Sequence, residues 1–100
     1  MTVIVELTRV RVAPEQTDAF LAARPGMLDD FRADRAGFLG ARLVRLAGGE
    51  WLDIVDWASA ADREASREKG ANRPGIAAFF ATIEAVVSAE DGTAEEHRPQ

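Results

Sequence analysis

Residues 3–12 read Val-Ile-Val-Glu-Leu-Thr-Arg-Val-Arg-Val, ten positions rich in β-branched side chains and free of glycine and proline. Such a run predicts a strand. Val3, Val5 and Leu7 fall on one side of it, and Ile4, Glu6, Thr8, Val10 and Val12 on the other. Both faces carry apolar groups, and a strand of that kind is covered on both sides. Pro14 follows at a place suited to the first turn of a helix, where the amide it lacks would have had no partner. Phe20, Ala23, Met27 and Phe31 then recur at helical spacing, widened by Leu21 and Leu28, and predict a helix ending before Gly37. Pro25-Gly26 lies inside this pattern and predicts a kink or short break.

The second half repeats the alternation. Residues 37–46 predict a second strand, Gly48-Gly49 a hairpin, and residues 50–58 a third strand. Ser59 is a natural N-cap with Asp62 three positions on, so a short charged helix is expected to about Glu68. Residues 69–73 predict a loop, and Pro74 restarts a helix whose apolar face is Ile76, Phe79, Phe80 and Ile83. Val86 and Val87 open a last strand, and from Asp91 the chain turns polar. The order β-α-β-β-α-β predicts an α+β, ferredoxin-like fold, a four-stranded antiparallel sheet with its helices on one face. Residues 1–91 are expected to form that domain and residues 92–100 a polar C-terminal tail whose final residues are mobile.

Two helices cover only one sheet face. The other still carries large apolar side chains, which marks an interface and predicts a homodimer paired through the sheet face. One hundred residues suit a single domain with a modest core, which a partner subunit would extend. The chain has no cysteine, which excludes disulfides and thiol nucleophiles. Its one histidine, His97, lies in the tail, so neither a metal site nor a Ser-His-Asp triad is expected. Twelve basic residues are interspersed with seventeen acidic ones, for a net charge of −5, which suits neither nucleic acid nor an anionic membrane. The N-terminus lacks the basic start and long apolar core of a signal peptide, and a cytoplasmic location is expected.

The chain resembles the antibiotic biosynthesis monooxygenase family of dimeric α+β barrels over about residues 3–90. The resemblance rests on the first strand running into Val12-Ala13-Pro14-Glu15, on Gly37-Phe38-Leu39-Gly40, on Gly48-Gly49, and above all on Asp53-Ile54-Val55-Asp56-Trp57-Ala58-Ser59. It implies a pocket between helices and sheet in each subunit. It also implies oxidation of a small aromatic or polyketide-like ligand by O₂ with no metal, flavin or other cofactor. A haem-degrading branch needs a histidine in a helix near residues 64–80, and there is none. The resemblance places Thr8 where active members often carry asparagine. A hydroxyl donates one hydrogen bond but does not replace an amide.

The expected pocket residues are Glu6, Thr8, Asp53, Val55, Trp57 and Asn72, with Asp53 and Thr8 the candidates for catalysis. Trp57 either stacks on an aromatic ligand or closes the end of the core. A carboxylate in mid-strand is costly to bury unless paired. Asp53 is therefore expected either to pair with Arg42 on the neighbouring hairpin arm or to serve as a base toward a phenolic proton. Asp56 is on the opposite face and cannot complete an acid/base pair with it. The other readings of the same fold are a non-catalytic small-molecule-binding or regulatory dimer, and a cyclase or isomerase with Asp53 as base.

Overall fold

A computed structural model describes residues 2–96. The strands are β1 (Ile4–Arg11), β2 (Phe38–Arg45), β3 (Glu50–Trp57) and β4 (Ala85–Thr93). The helices are α1 (Thr17–Asp34), α2 (Ala60–Lys69) and α3 (Pro74–Phe80). The sheet has the order β2-β3-β1-β4 and every neighbouring pair is antiparallel. This is the expected ferredoxin-like arrangement, with the second helical segment divided, as expected, into α2 and α3. β4 continues two residues past Asp91. Of the expected tail, residues 92–96 are described, with the Ala94 amide donating to the Val3 carbonyl at 2.9 Å, and residues 97–100, His97 among them, lie outside the described residues.

Alternation along β1 and β3 sorts the core. Val10, Trp51, Val55 and Trp57 are buried on the helix side, where they meet Phe20, Met27 and Phe31 of α1 and Ile76 and Phe79 of α3. Trp57 is fully buried, with its ring centroid 6.0 Å from Phe31 and 5.9 Å from Phe38. Phe38 reaches this cluster because β2 bulges after it: Phe38 pairs with Trp57 and Gly40 with Asp56, and the extra residue, Leu39, stays exposed. A bulge of this kind re-aims the side chains beside it.

α1 runs through Pro25 without the expected break. Pro25 is exposed, so the carbonyl left without a donor lies on the solvent side of the helix. Beside it, at Gly26, a Cβ would make only ordinary contact with Gly75 Cα; the glycine that this helix crossing requires is Gly75. α3 crosses α1 there so closely that a Cβ on Gly75 would collide with the Gly26 carbonyl. Asp30 of α1 secures the crossing by accepting from the Gly75 amide at 2.7 Å and from Arg73 Nε at 3.1 Å.

The β2–β3 hairpin is one residue longer than its glycines suggest. The Leu46 amide donates to the Glu50 carbonyl at 2.8 Å, which encloses Ala47, Gly48 and Gly49. Gly48 and Gly49 have φ of 73° and 77°, a region that disfavours side chains with a Cβ. Ser59 caps α2 as expected: its hydroxyl accepts from the Asp62 amide at 3.0 Å and donates to the Asp62 carboxylate. Among the described residues, no helix is long and apolar enough to cross a membrane.

Candidate functional site

A cavity of about 540 Å³ lies between the sheet and the helices. Its walls are mainly apolar: Val10 and Val55 from the sheet, Met27 and Phe31 from α1, and Phe80 and Ile83 from α3 and the turn after it. The exposed Phe80, Glu84, Ala85 and Val86 form its rim. Its polar groups are few. Glu6, Thr8 and Asp53 come from the sheet, Arg35 from the segment after α1, and Ser66 and Arg67 from α2.

Alternation brings the sheet residues together. Thr8 and Asp53 are direct partners across β1 and β3, and Glu6 faces Val55 in the same register. Direct antiparallel partners share a face, with Cβ atoms about 5 Å apart. Among the described residues the Thr8 hydroxyl makes no hydrogen bond.

Asp53 is held by Arg24, not by Arg42. Arg24 Nη1 donates to Asp53 Oδ2 at 2.8 Å and Nη2 to Oδ1 at 2.7 Å, the parallel fork that guanidinium and carboxylate make best. The Arg24 side chain is 9% exposed and lies over the Phe79 ring at 5.1 Å. Arg42 cannot reach Asp53 because the three-residue turn pairs Leu43 with Asp53 and Arg42 with Ile54. A shift of one residue in register moves a side chain to the opposite face. Arg24 was nevertheless detectable in the sequence. It stands four residues after Phe20 and three before Met27, a charge inside the apolar stripe of a helix, and such a charge needs a buried partner.

Glu6 is also engaged. Its carboxylate accepts from Trp57 Nε1 and from Arg67 Nε, each at 3.1 Å. Arg67 and Arg63 both bind Asp91 of β4, so α2, whose only buried residue is Ser66, is tied to the sheet by charge. Trp57 is not among the cavity residues. It is enclosed by Phe31 and Phe38, and its indole N–H faces Glu6.

Asn72 does not line the cavity either. It is exposed in the α2–α3 connection, where it donates to Asp34 at 2.8 Å and accepts from Arg35 Nη1 at 2.9 Å. Arg35 also donates to Ser66 Oγ at 2.8 Å and to the Gly70 carbonyl at 2.6 Å, which closes this end of the cavity. Burial lowers the Arg35 pKa against the opposing charge of Asp34. Hydrogen bonds from Asn72 and Lys69 hold the Asp34 carboxyl below its ordinary value. No group of three His, Cys, Asp or Glu side chains among the described residues is arranged to hold a metal ion.

The model of the family described as "Antibiotic biosynthesis monooxygenase" matches residues 3–81. No curated protein matches the chain. Solved structures share the fold. A Bordetella bronchiseptica protein provisionally described as an antibiotic biosynthesis monooxygenase is 16% identical, with a TM-score of 0.76 over 98% of this chain and 100% of that one. A Chloroflexus aurantiacus protein of the same provisional description is 17% identical, with a TM-score of 0.71 over 97% of each chain. MupZ from Pseudomonas fluorescens is 12% identical, with a TM-score of 0.71 over 89% of this chain and 66% of that one.

Proposed function

This chain belongs to the antibiotic biosynthesis monooxygenase family, and on that premise we propose that it is a cofactor-independent oxygenase of an electron-rich aromatic or polyketide-like small molecule. The observation that supports this reading is the cavity, with apolar walls around a narrow polar floor of Thr8, Asp53 and Glu6. Apolar enclosure with a few convergent polar groups is the ordinary form of a small-molecule site. In the reaction the substrate is its own reductant. A methylene activated by flanking rings loses a proton and passes electrons to O₂, and both of its hydrogens end in the water formed. One oxygen atom becomes the product carbonyl and the other leaves as water, so R₂CH₂ + O₂ gives R₂C=O + H₂O. The protein's part is to orient the ring system and to exclude water from the reactive carbanion.

Oxygen uptake by the folded protein with a panel of dihydroxyanthrones tests the proposal. The expected result is one O₂ consumed per quinone formed, and no uptake across the panel overturns it. One observation favours a second reading, that of a non-catalytic binding module: both carboxylates of the cavity floor already have partners, Asp53 in Arg24 and Glu6 in Trp57 and Arg67, and the third lining carboxylate, Glu84, stands on the exposed rim. The same engagement of Asp53 weighs against a cyclase or isomerase that uses it as base. Under the second reading the ligand is bound and recovered unchanged.

The active form in this proposal is a homodimer. The sheet face away from the helices carries Val5, Leu7, Val44, Leu52 and Ile54, all only partly covered within one chain. A second copy related by a two-fold axis offers the same patch and covers it.

A further inference from the structure

The polar groups of the cavity floor differ in what they can still do. Asp53 accepts one N–H from Arg24 at each oxygen, and each oxygen keeps a free lone pair. Arg24 does not line the cavity, whereas Asp53 does. The guanidinium thus fixes the carboxylate from the helix side and leaves its remaining acceptor capacity to the cavity. Thr8, directly across the strand pair, offers a hydroxyl that both donates and accepts. The basic groups are directed elsewhere, Arg35 toward Asp34, Ser66, Asn72 and Gly70, and Arg67 toward Glu6 and Asp91.

We propose that the floor selects a neutral ligand carrying a hydroxyl donor beside a second oxygen, with Asp53 accepting from the hydroxyl and Thr8 bonding the other oxygen. Arg24 is the positioning residue that sets this selectivity. An anionic ligand would meet the oxygens of Asp53 and Glu6, while the guanidinium donors nearby are occupied. A cation would gain little from Asp53 and Glu6, which are already compensated, would find Glu84 only at the exposed rim, and would lose its hydration among apolar walls. The inference rests on the reading of this cavity as a small-molecule site, but not on any reaction there.

Calorimetric titration with naphthalene, 2-naphthol, 2,3-dihydroxynaphthalene and 2-naphthoate tests it. A hydrogen bond to a charged acceptor in an apolar site supports a preference of about tenfold or more. The wild-type protein is expected to bind the diol at least about tenfold more tightly than naphthalene, and 2-naphthoate more weakly than 2-naphthol. The double variant Arg24→Met/Asp53→Leu removes the acceptor without leaving an unpaired charge. It should keep naphthalene binding while the diol preference falls below about threefold. Thr8→Val, which is nearly isosteric and leaves the ion pair alone, should erase the advantage of the diol over 2-naphthol. Arg24→Lys, a charge without the fork, should give an intermediate ratio. Each readout is a ratio within one protein, so a general loss of stability does not produce it. Equal binding of diol and naphthalene, or a ratio unchanged in the double variant, overturns the selectivity and leaves the cavity reading standing. Binding of no probe at all overturns both.

Discussion

The Arg24–Asp53 fork joins α1 to the middle of β3, and its burial decides how it responds to mutation. Arg24→Met alone leaves Asp53 without its partner at a largely covered position. The expected loss is about 3 kcal/mol, toward the low end for a broken buried pair because the Asp53 side chain keeps 15% of its surface exposed. Arg24→Met/Asp53→Leu should lie within about 1 kcal/mol of wild type, since apolar replacement of a whole pair is often neutral. Urea denaturation of the two variants checks this, and a double variant as weak as the single one would contradict it. The inward face of Asp53 is legible from strand alternation alone. Its partner depends on one residue of turn length. A two-residue Gly48-Gly49 turn would have put Arg42 on the Asp53 face, whereas inclusion of Ala47 turns Arg42 to the other side. Trp57 is a similar case: the sequence places it on the inward face, but only the bulge that brings in Phe38 encloses it in the core.

Single elements depend on different forces. α3 is held to α1 by Ile76 and Phe79 in the core and by a close crossing of the two backbones. Gly75→Ala forces a methyl against the Gly26 carbonyl and should cost about 1–3 kcal/mol, visible as a lowered melting temperature. α2 relies on charge and on its cap, and Ser59→Ala should cost about 1 kcal/mol. Acid should loosen these polar attachments. The Asp34 carboxyl is held below its ordinary value of 3.8 by hydrogen bonds from Asn72 and Lys69. The Glu50 carboxyl is held below 4.5 by hydrogen bonds from Arg9 and Arg11. A carboxyl whose folded pKa is depressed contributes stability that is complete above its unfolded pKa and is lost as pH falls through the folded one. Calorimetric melting should therefore be flat from neutral pH to about 5 and should fall below about 4. Asn72→Ala should make that fall shallower, because it removes the largest contribution to the Asp34 shift. The polar attachment of α2 follows no periodic pattern in the sequence. It becomes readable only when β4 brings Asp91 opposite Glu6.

At the scale of the whole molecule, the outer sheet face sets the expectation. Val5, Leu7, Val44, Leu52 and Ile54 are each partly exposed in one chain, so covering them gives each a fraction of the roughly 1.5–3 kcal/mol that full burial is worth, and the sum still counts against a net domain stability of about 5–15 kcal/mol. Ile54→Lys or Leu52→Lys should therefore disrupt association and lower stability together. Sedimentation of the wild type as a stable monomer at low micromolar concentration would overturn the dimer. The overall topology was legible because strand alternation, a glycine pair and two prolines each act locally, Pro74 opening α3 and Pro14 a 3-10 turn just before α1. The site was less so, because its partners meet across separations of tens of residues. The aromatic core carries one more consequence. The chain has no tyrosine, and its two tryptophans, Trp51 and Trp57, are 4% and 0% exposed. They lie six residues apart on β3, about 20 Å along the strand. Trp51 packs on Phe20 beneath the Arg45 guanidinium, whereas Trp57 sits with Phe31 and Phe38. The intrinsic emission is therefore a pure interior signal with a source at each end of the sheet. Trp51→Phe and Trp57→Phe divide it into two separate optical probes, and coincident melting of the two would show that both ends of the core come apart in a single step.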